Sequence, residues 1–151
     1  MDMSGPPAAK AASHWKTLYA LVWLTFLQIL VAVPPLSDLF RDIVYAHVAL
    51  GFGIVFIAHY DRARMKRRAL PGRIQRTVRA TASLASAQFF LGIYAFLIYA
   101  LNMSLPGLDV ILLLHLVVGL AIFSQASATA MSYDMWEERE FERVEPPTPK
   151  A

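Results

Sequence analysis

Two histidines in this 151-residue chain head apolar runs of the same pattern, "HVALGFGIVF" from His47 and "HLVVGLAIFS" from His115. In each, three apolar residues lead to a glycine, Gly51 or Gly119. On a helix the residue at i+4 lies on the histidine's own face one turn along, so each imidazole stands beside bare backbone that a flat ligand can approach. Two neutral imidazoles on different helices at matched depth are what a six-coordinate haem iron takes as axial ligands. The competing account is hydrogen bonding between helices, a common occupation for a histidine in a membrane helix. Ionisable groups are costly inside a membrane, and matched depth, frame and glycine spacing favour ligation. A zinc-type site is disfavoured, because no third or fourth His, Cys, Asp or Glu falls at that depth.

The elements that position these residues follow from the apolar pattern. The hydrophobic fraction is 57% and the mean hydropathy +0.47, and the apolar residues gather in four blocks at about 17–33, 43–59, 81–101 and 110–131. Each is free of Lys, Arg, Asp and Glu and long enough to cross a hydrocarbon core of roughly 30 Å. The expected fold is therefore an all-α, polytopic membrane four-helix bundle over 17–131. A leader covers 1–16 and a charged, Pro-containing tail covers 132–151. The leader has no small-residue cleavage site followed by a soluble domain, so a cleaved signal peptide is not expected.

The stretch "DRARMKRRALPGRIQRTVRA" between the second and third blocks holds eight of the fourteen Lys and Arg, whereas "PPLSDLFRD" and "NMSLPGLD" hold one between them. The positive-inside rule puts the basic stretch and both termini on the cytoplasmic side. This stretch accounts for the pI near 9.4, so basicity here signals topology rather than nucleic acid, with contact to anionic headgroups as the lesser reading. The tail "SYDMWEEREFERVEPPTPKA" begins with a stretch able to extend the fourth helix by a few turns before Pro146 and Pro147 stop it, and its mixed charges read as a solvated end. With no cysteine, disulfides, thiolate ligation and covalent haem attachment are excluded.

His47 and His115 begin about five and six residues into their helices, roughly 7–9 Å below the outer boundary at helical rise. The preceding helices also echo each other, "LTFLQILVAV" carrying Gln28 and "LASAQFFLGI" carrying Gln88. The chain thus reads as two repeated helix pairs, related by an axis along the membrane normal. That symmetry sets the second and fourth helices opposite each other, with His47 facing His115. Phe52, Phe56, Phe89, Phe90, Phe96 and Phe123 are candidates to wall a macrocycle or simply to pack. Ala82, Ser83, Ala85, Ser86 and Ala87 allow a close helix approach. Arg41 is placed to pair a propionate, or to sit at the interface beside Asp38 and Asp42. His14 and His59 offer a second haem site on the inner side, although interfacial positions beside Trp15, Tyr60 and Trp136 suit them better. The sequon at Asn102 carries almost no weight.

On these residues the chain resembles one four-helix half of the haem A synthase family. The resemblance lies in the third-helix Gln-x-x-x-Gly at Gln88 and Gly92, the short outer loop, the fourth-helix "LHL" at Leu114–Leu116, and "AHVALGFG" around His47. It covers about residues 17–131 and implies a half-size relative. It implies that His47 and His115 ligate haem b, beside the Gly51, Gly119, Gln88 and Arg41 that their own positions already put forward, and that haem O or haem A enters as substrate or product. It also implies that two halves associate, here as a homodimer or with another membrane subunit such as a terminal oxidase. The catalytic half of that family has a glutamate three residues before the second-helix histidine and an arginine after it; Val44 and Val48 stand there. Catalysis therefore stays open.

Three functions remain in view. One is a haem-binding protein of the prokaryotic cell membrane acting in haem A biosynthesis or terminal-oxidase assembly. Another is a small bis-histidine cytochrome b subunit that transfers electrons in a respiratory complex. The last is a structural or assembly subunit without haem.

Overall fold

The computed structural model describes residues 15–32, 43–68, 70–101, 103 and 106–144. They are all-helical: α1 spans Trp15–Val31, α2 Ile43–Met65, α3 Gly72–Ala100 and α4 Leu108–Val144. Helices α2, α3 and α4 are long and apolar enough to cross a membrane, while α1 is a shorter apolar helix of 17 residues. Large side chains point outward all along the spans; Trp23, Phe56 and Phe90 are 67%, 71% and 70% exposed. Such a surface suits hydrocarbon, where a helix satisfies its own backbone polar groups. Its hydroxyls follow the same rule: Thr25 donates to the Leu21 and Val22 carbonyls, Ser127 to Phe123 and Thr129 to Gln125.

Each helix packs against two neighbours, in the order α1, α2, α3, α4 and back to α1. So α2 and α4 occupy opposite corners, as do α1 and α3. At the turn into α4, Gly107 adopts φ +85°, and its carbonyl accepts from the Val110 and Ile111 amides. A residue with a Cβ is strained in that left-handed region, so glycine suits this corner.

Two boundaries differ from the apolar blocks. The basic stretch is mostly helix: α2 continues to Met65 and α3 begins at Gly72, leaving only 66–71 as the connection. The Gln75 side chain ties that corner by donating to the Arg68 and Leu70 carbonyls. Arg62, Arg64, Arg73, Arg76 and Arg79 are exposed while Met65, Leu70, Ile74 and Val78 are buried. An apolar stripe at helical spacing persists beneath the charges, and it holds the helix together beyond the membrane-like block. Likewise α4 runs on to Val144, and its extension is packed rather than merely solvated: Tyr133 is fully buried beside Leu18, Met65 and Ala130. The Tyr133 hydroxyl accepts from Arg68 at 2.9 Å, and Tyr19 donates to Asp134 at 2.6 Å.

The core is unevenly filled. Nearly all buried side chains lie in the half nearest the basic connection. Beyond the level of Gln28 and Gln88, Ile98 is the buried apolar residue among those described, and a cleft takes the place of a core.

Candidate functional site

The cleft lies among all four helices, encloses about 80 Å³ and is partly open to the outside of the bundle. Its lining falls into pairs at constant offsets. Sixty residues separate Thr25 from Ala85, Gln28 from Gln88, Ile29 from Phe89 and Ala32 from Gly92; sixty-eight separate His47 from His115, Val48 from Leu116, Gly51 from Gly119 and Ile54 from Ile122. Ile93 completes the lining, and its counterpart Val33 lies outside the described residues. Corresponding residues of α1 and α3 therefore face the cleft from one diagonal, and those of α2 and α4 from the other.

His47 and His115 meet across it. Their ring centroids are 5.9 Å apart and their planes tilt by 48°. An atom bonded at about 2 Å by one nitrogen of each ring holds the nitrogens about 4 Å apart and the centroids roughly 6 Å apart. The spacing thus suits one shared metal atom.

The glycines are close-approach positions. A Cβ on Gly51 would lie 3.7 Å from Nε2 of Gln28, and one on Gly119 would lie 3.2 Å from Nε2 of Gln88. The glutamine side chain thus fills the strip beside each histidine that the His-x-x-x-Gly spacing keeps bare. Gly92 is tighter still, since its Cβ would come within 2.9 Å of Cε1 of His115. The matching position on α1 is Ala32, so the two imidazoles are seated against different surfaces.

Three buried polar atoms in this region have no hydrogen-bond partner: Oε1 of Gln28, Oε1 of Gln88 and Nδ1 of His115. Native interiors seldom leave such groups unpaired, and an orphan lining a cleft points to a ligand or ordered water. Among the described residues, no three His, Cys, Asp or Glu converge as a metal cage. A metal held here would need ligands beyond the two imidazoles, as a porphyrin supplies.

Of the residues singled out in the sequence, His47, His115, Gly51, Gly119 and Gln88 line the cleft together. Arg41 lies outside the described residues, as do His14, Asp38, Asp42 and Asn102. His59 is elsewhere: it is exposed on the α2–α3 face, with Nε2 at 2.8 Å from the Ser86 hydroxyl. Phe89 lines the cleft and packs edge-to-face on Phe52 at 4.7 Å. Phe52, Phe56 and Phe90 are turned outward, Phe26 lies beside Phe123, and Tyr45 beside Phe96. Gln28, Thr25 and Ala32 are further site residues. The sequence carried a sign of Ala32, which follows Gln28 by the same four positions that separate Gly92 from Gln88. No known protein family, curated protein or solved structure matches the chain.

Proposed function

We propose that the chain is an integral membrane protein that holds one haem b between His47 and His115, in the manner of one half of a haem A synthase, and that it acts in haem A biosynthesis or terminal-oxidase assembly. The observation that carries this reading is the 5.9 Å approach of two imidazoles from opposite corners of the bundle. The orphaned polar atoms lining the cleft fit a bound ligand as well. The cleft is partly open, so a porphyrin, larger than its enclosed part, would extend toward the outside of the bundle.

In this reading α1 is a fourth crossing, the two helix pairs are repeats, and the basic connection and both termini face the cytoplasm of a prokaryotic cell. Bound haem supplies a one-electron couple. The chain's residues would hold it from both faces, with the His115 ring seated against Gly92. Association with a second copy or an oxidase subunit belongs to the same proposal.

A specific observation favours a second reading, electron transfer without haem modification. Among the described residues lining the cleft, the titratable groups are the two histidines, and Val48, at the position expected to be arginine, is apolar and in the lining. If both His47 and His115 ligated the iron, no position would be left open on it, which would suit outer-sphere transfer.

The test is a reduced-minus-oxidised visible spectrum of the detergent-purified protein, with pyridine haemochrome typing. His47→Ala and His115→Ala are each expected to lose the low-spin b-type signal while His59→Ala keeps it. Equal retention in all three would end the assignment. Product analysis with haem O then separates the two readings.

A further inference from the structure

At the basic end, Asp61 of α2 is buried, 2% exposed. Its carboxyl group hydrogen-bonds the Thr17 side chain of α1, while its Oδ2 is buried with no partner. It lines a second cavity of about 10 Å³, the size of a single water. Two more side-chain oxygens line that space, from Thr81 of α3 and Thr129 of α4, both buried. Thr129 follows Asp61 by sixty-eight residues, the offset that also joins His47 to His115. Acid and hydroxyl therefore hold corresponding places on the two diagonal helices.

The rest of the wall is Leu18 and Leu21 of α1, Ala58 of α2, Val78 of α3 and Ala126 of α4, none of which titrates. Arg64 of α2 acts on Asp61 by charge, but it is exposed and donates to the Tyr60 hydroxyl at 2.6 Å. An ionised carboxylate in this wall would be a buried charge without an ion-pair partner, the costliest of arrangements.

Counting hydrogens points the same way. Thr81 donates to the Thr77 carbonyl at 2.9 Å and Thr129 to the Gln125 carbonyl at 2.7 Å. Each hydroxyl has thus used its one proton and presents lone pairs to the cavity. If Asp61 were ionised, a water there would face three acceptors with two protons. If Asp61 is a neutral acid, its O–H donates to the water, and the water donates to Thr81 and Thr129, so every group is satisfied.

We infer that this cavity is a proton-holding site, in which a neutral Asp61 and one internal water join α2 to Thr81 of α3 and Thr129 of α4. The buried apolar layer of Leu21, Ile54, Ala82, Ala85 and Ile122 lies between it and the histidine cleft, so the site stands independently of haem binding.

The test is infrared difference spectroscopy of the full chain in lipid at about pH 5, where an ordinary aspartate is ionised, wild type minus Asp61→Asn. A carboxylic acid C=O band that moves in D₂O is expected, and it should shift in Thr129→Val and in Thr81→Val. The Thr variants report on the site even if Asp61→Asn folds poorly. Carboxylate bands in place of the C=O band would overturn the inference. So would a melting temperature that follows exchange of Na⁺ for K⁺, which would make the occupant a cation. Haem content unaltered in Asp61→Asn is the expected companion result, and parallel loss of haem and the C=O band would refute the independence of the two sites.

Discussion

Gly92→Ala tests the histidine site with the smallest perturbation the structure offers. The added Cβ would sit 2.9 Å from Cε1 of His115, well inside the carbon–carbon separation of about 3.5–4.0 Å at which packing is favourable. Overpacking of this kind costs about 1–3 kcal/mol, set against about 1 kcal/mol gained from alanine's better helix propensity. Without ligand, the ring has the cleft to swing into, so the two effects nearly cancel and the apo protein should melt within a few degrees of wild type. With haem bound, His115 must keep its place on the iron, and the cost falls on binding as a roughly 5- to 150-fold loss of affinity. The assay is titration of haemin into the apo protein, followed by the Soret band, with thermal unfolding alongside. Gly53→Ala is the matched control, because its Cβ would meet nothing within 4 Å, and it should bind haem as wild type does. A folded Gly92→Ala protein with unchanged affinity and an unchanged low-spin spectrum would refute the claim that His115 coordinates from this seat.

Other consequences are open to measurement. Replacing Gln28 or Gln88 by Leu removes a buried carbonyl oxygen that has no partner, so each should raise apo stability by about 1–3 kcal/mol in detergent unfolding; a loss of that size would mean the amides are bonded to something in the cleft. Tyr19→Phe deletes the 2.6 Å hydrogen bond to Asp134 and should cost about 1.5–3 kcal/mol, and a double-mutant cycle with Asp134→Asn should recover most of it as coupling. The chain has no cysteine, so single cysteines report topology cleanly. Lys66→Cys should react with an impermeant maleimide only when the cytoplasmic face is accessible, and Val110→Cys only from the opposite side; labelling of both from one side would reject the membrane placement.

Much of the site was legible because it is periodic. The His-x-x-x-Gly frame repeats at an offset of sixty-eight and the glutamine frame at sixty, and a helix turns equal spacing into equal facing. That is enough to bring His47, Gly51, Gln88, His115 and Gly119 to one cleft. The same logic carried the fourth helix a few turns into the tail, as α4 does, but it did not reach the packing at the helix ends. Charges were read there as a loop and a solvated tail, yet Met65, Ile74, Val78 and Tyr133 continue an apolar stripe beneath them and are buried. Nor did it find Asp61, which stands two residues beyond the apolar block and beside Arg62, where an acid ordinarily reads as solvated.

What the order of residues settles without help is helicity, the apolar length of α2, α3 and α4, and which side chains share a helix face, because each depends on near neighbours along one chain segment. What needs the packed molecule is distance across the bundle. The 5.9 Å between imidazoles, the press of His115 on Gly92 and the burial of Asp61 among Leu18, Val78 and Ala126 all depend on how closely four helices approach. That approach is set by small residues such as Ala82, Ala85 and Ala126, which are almost fully buried where the helices meet. Side-chain volume at those contacts, summed over all four helices, decides the spacing, and no single segment contains it.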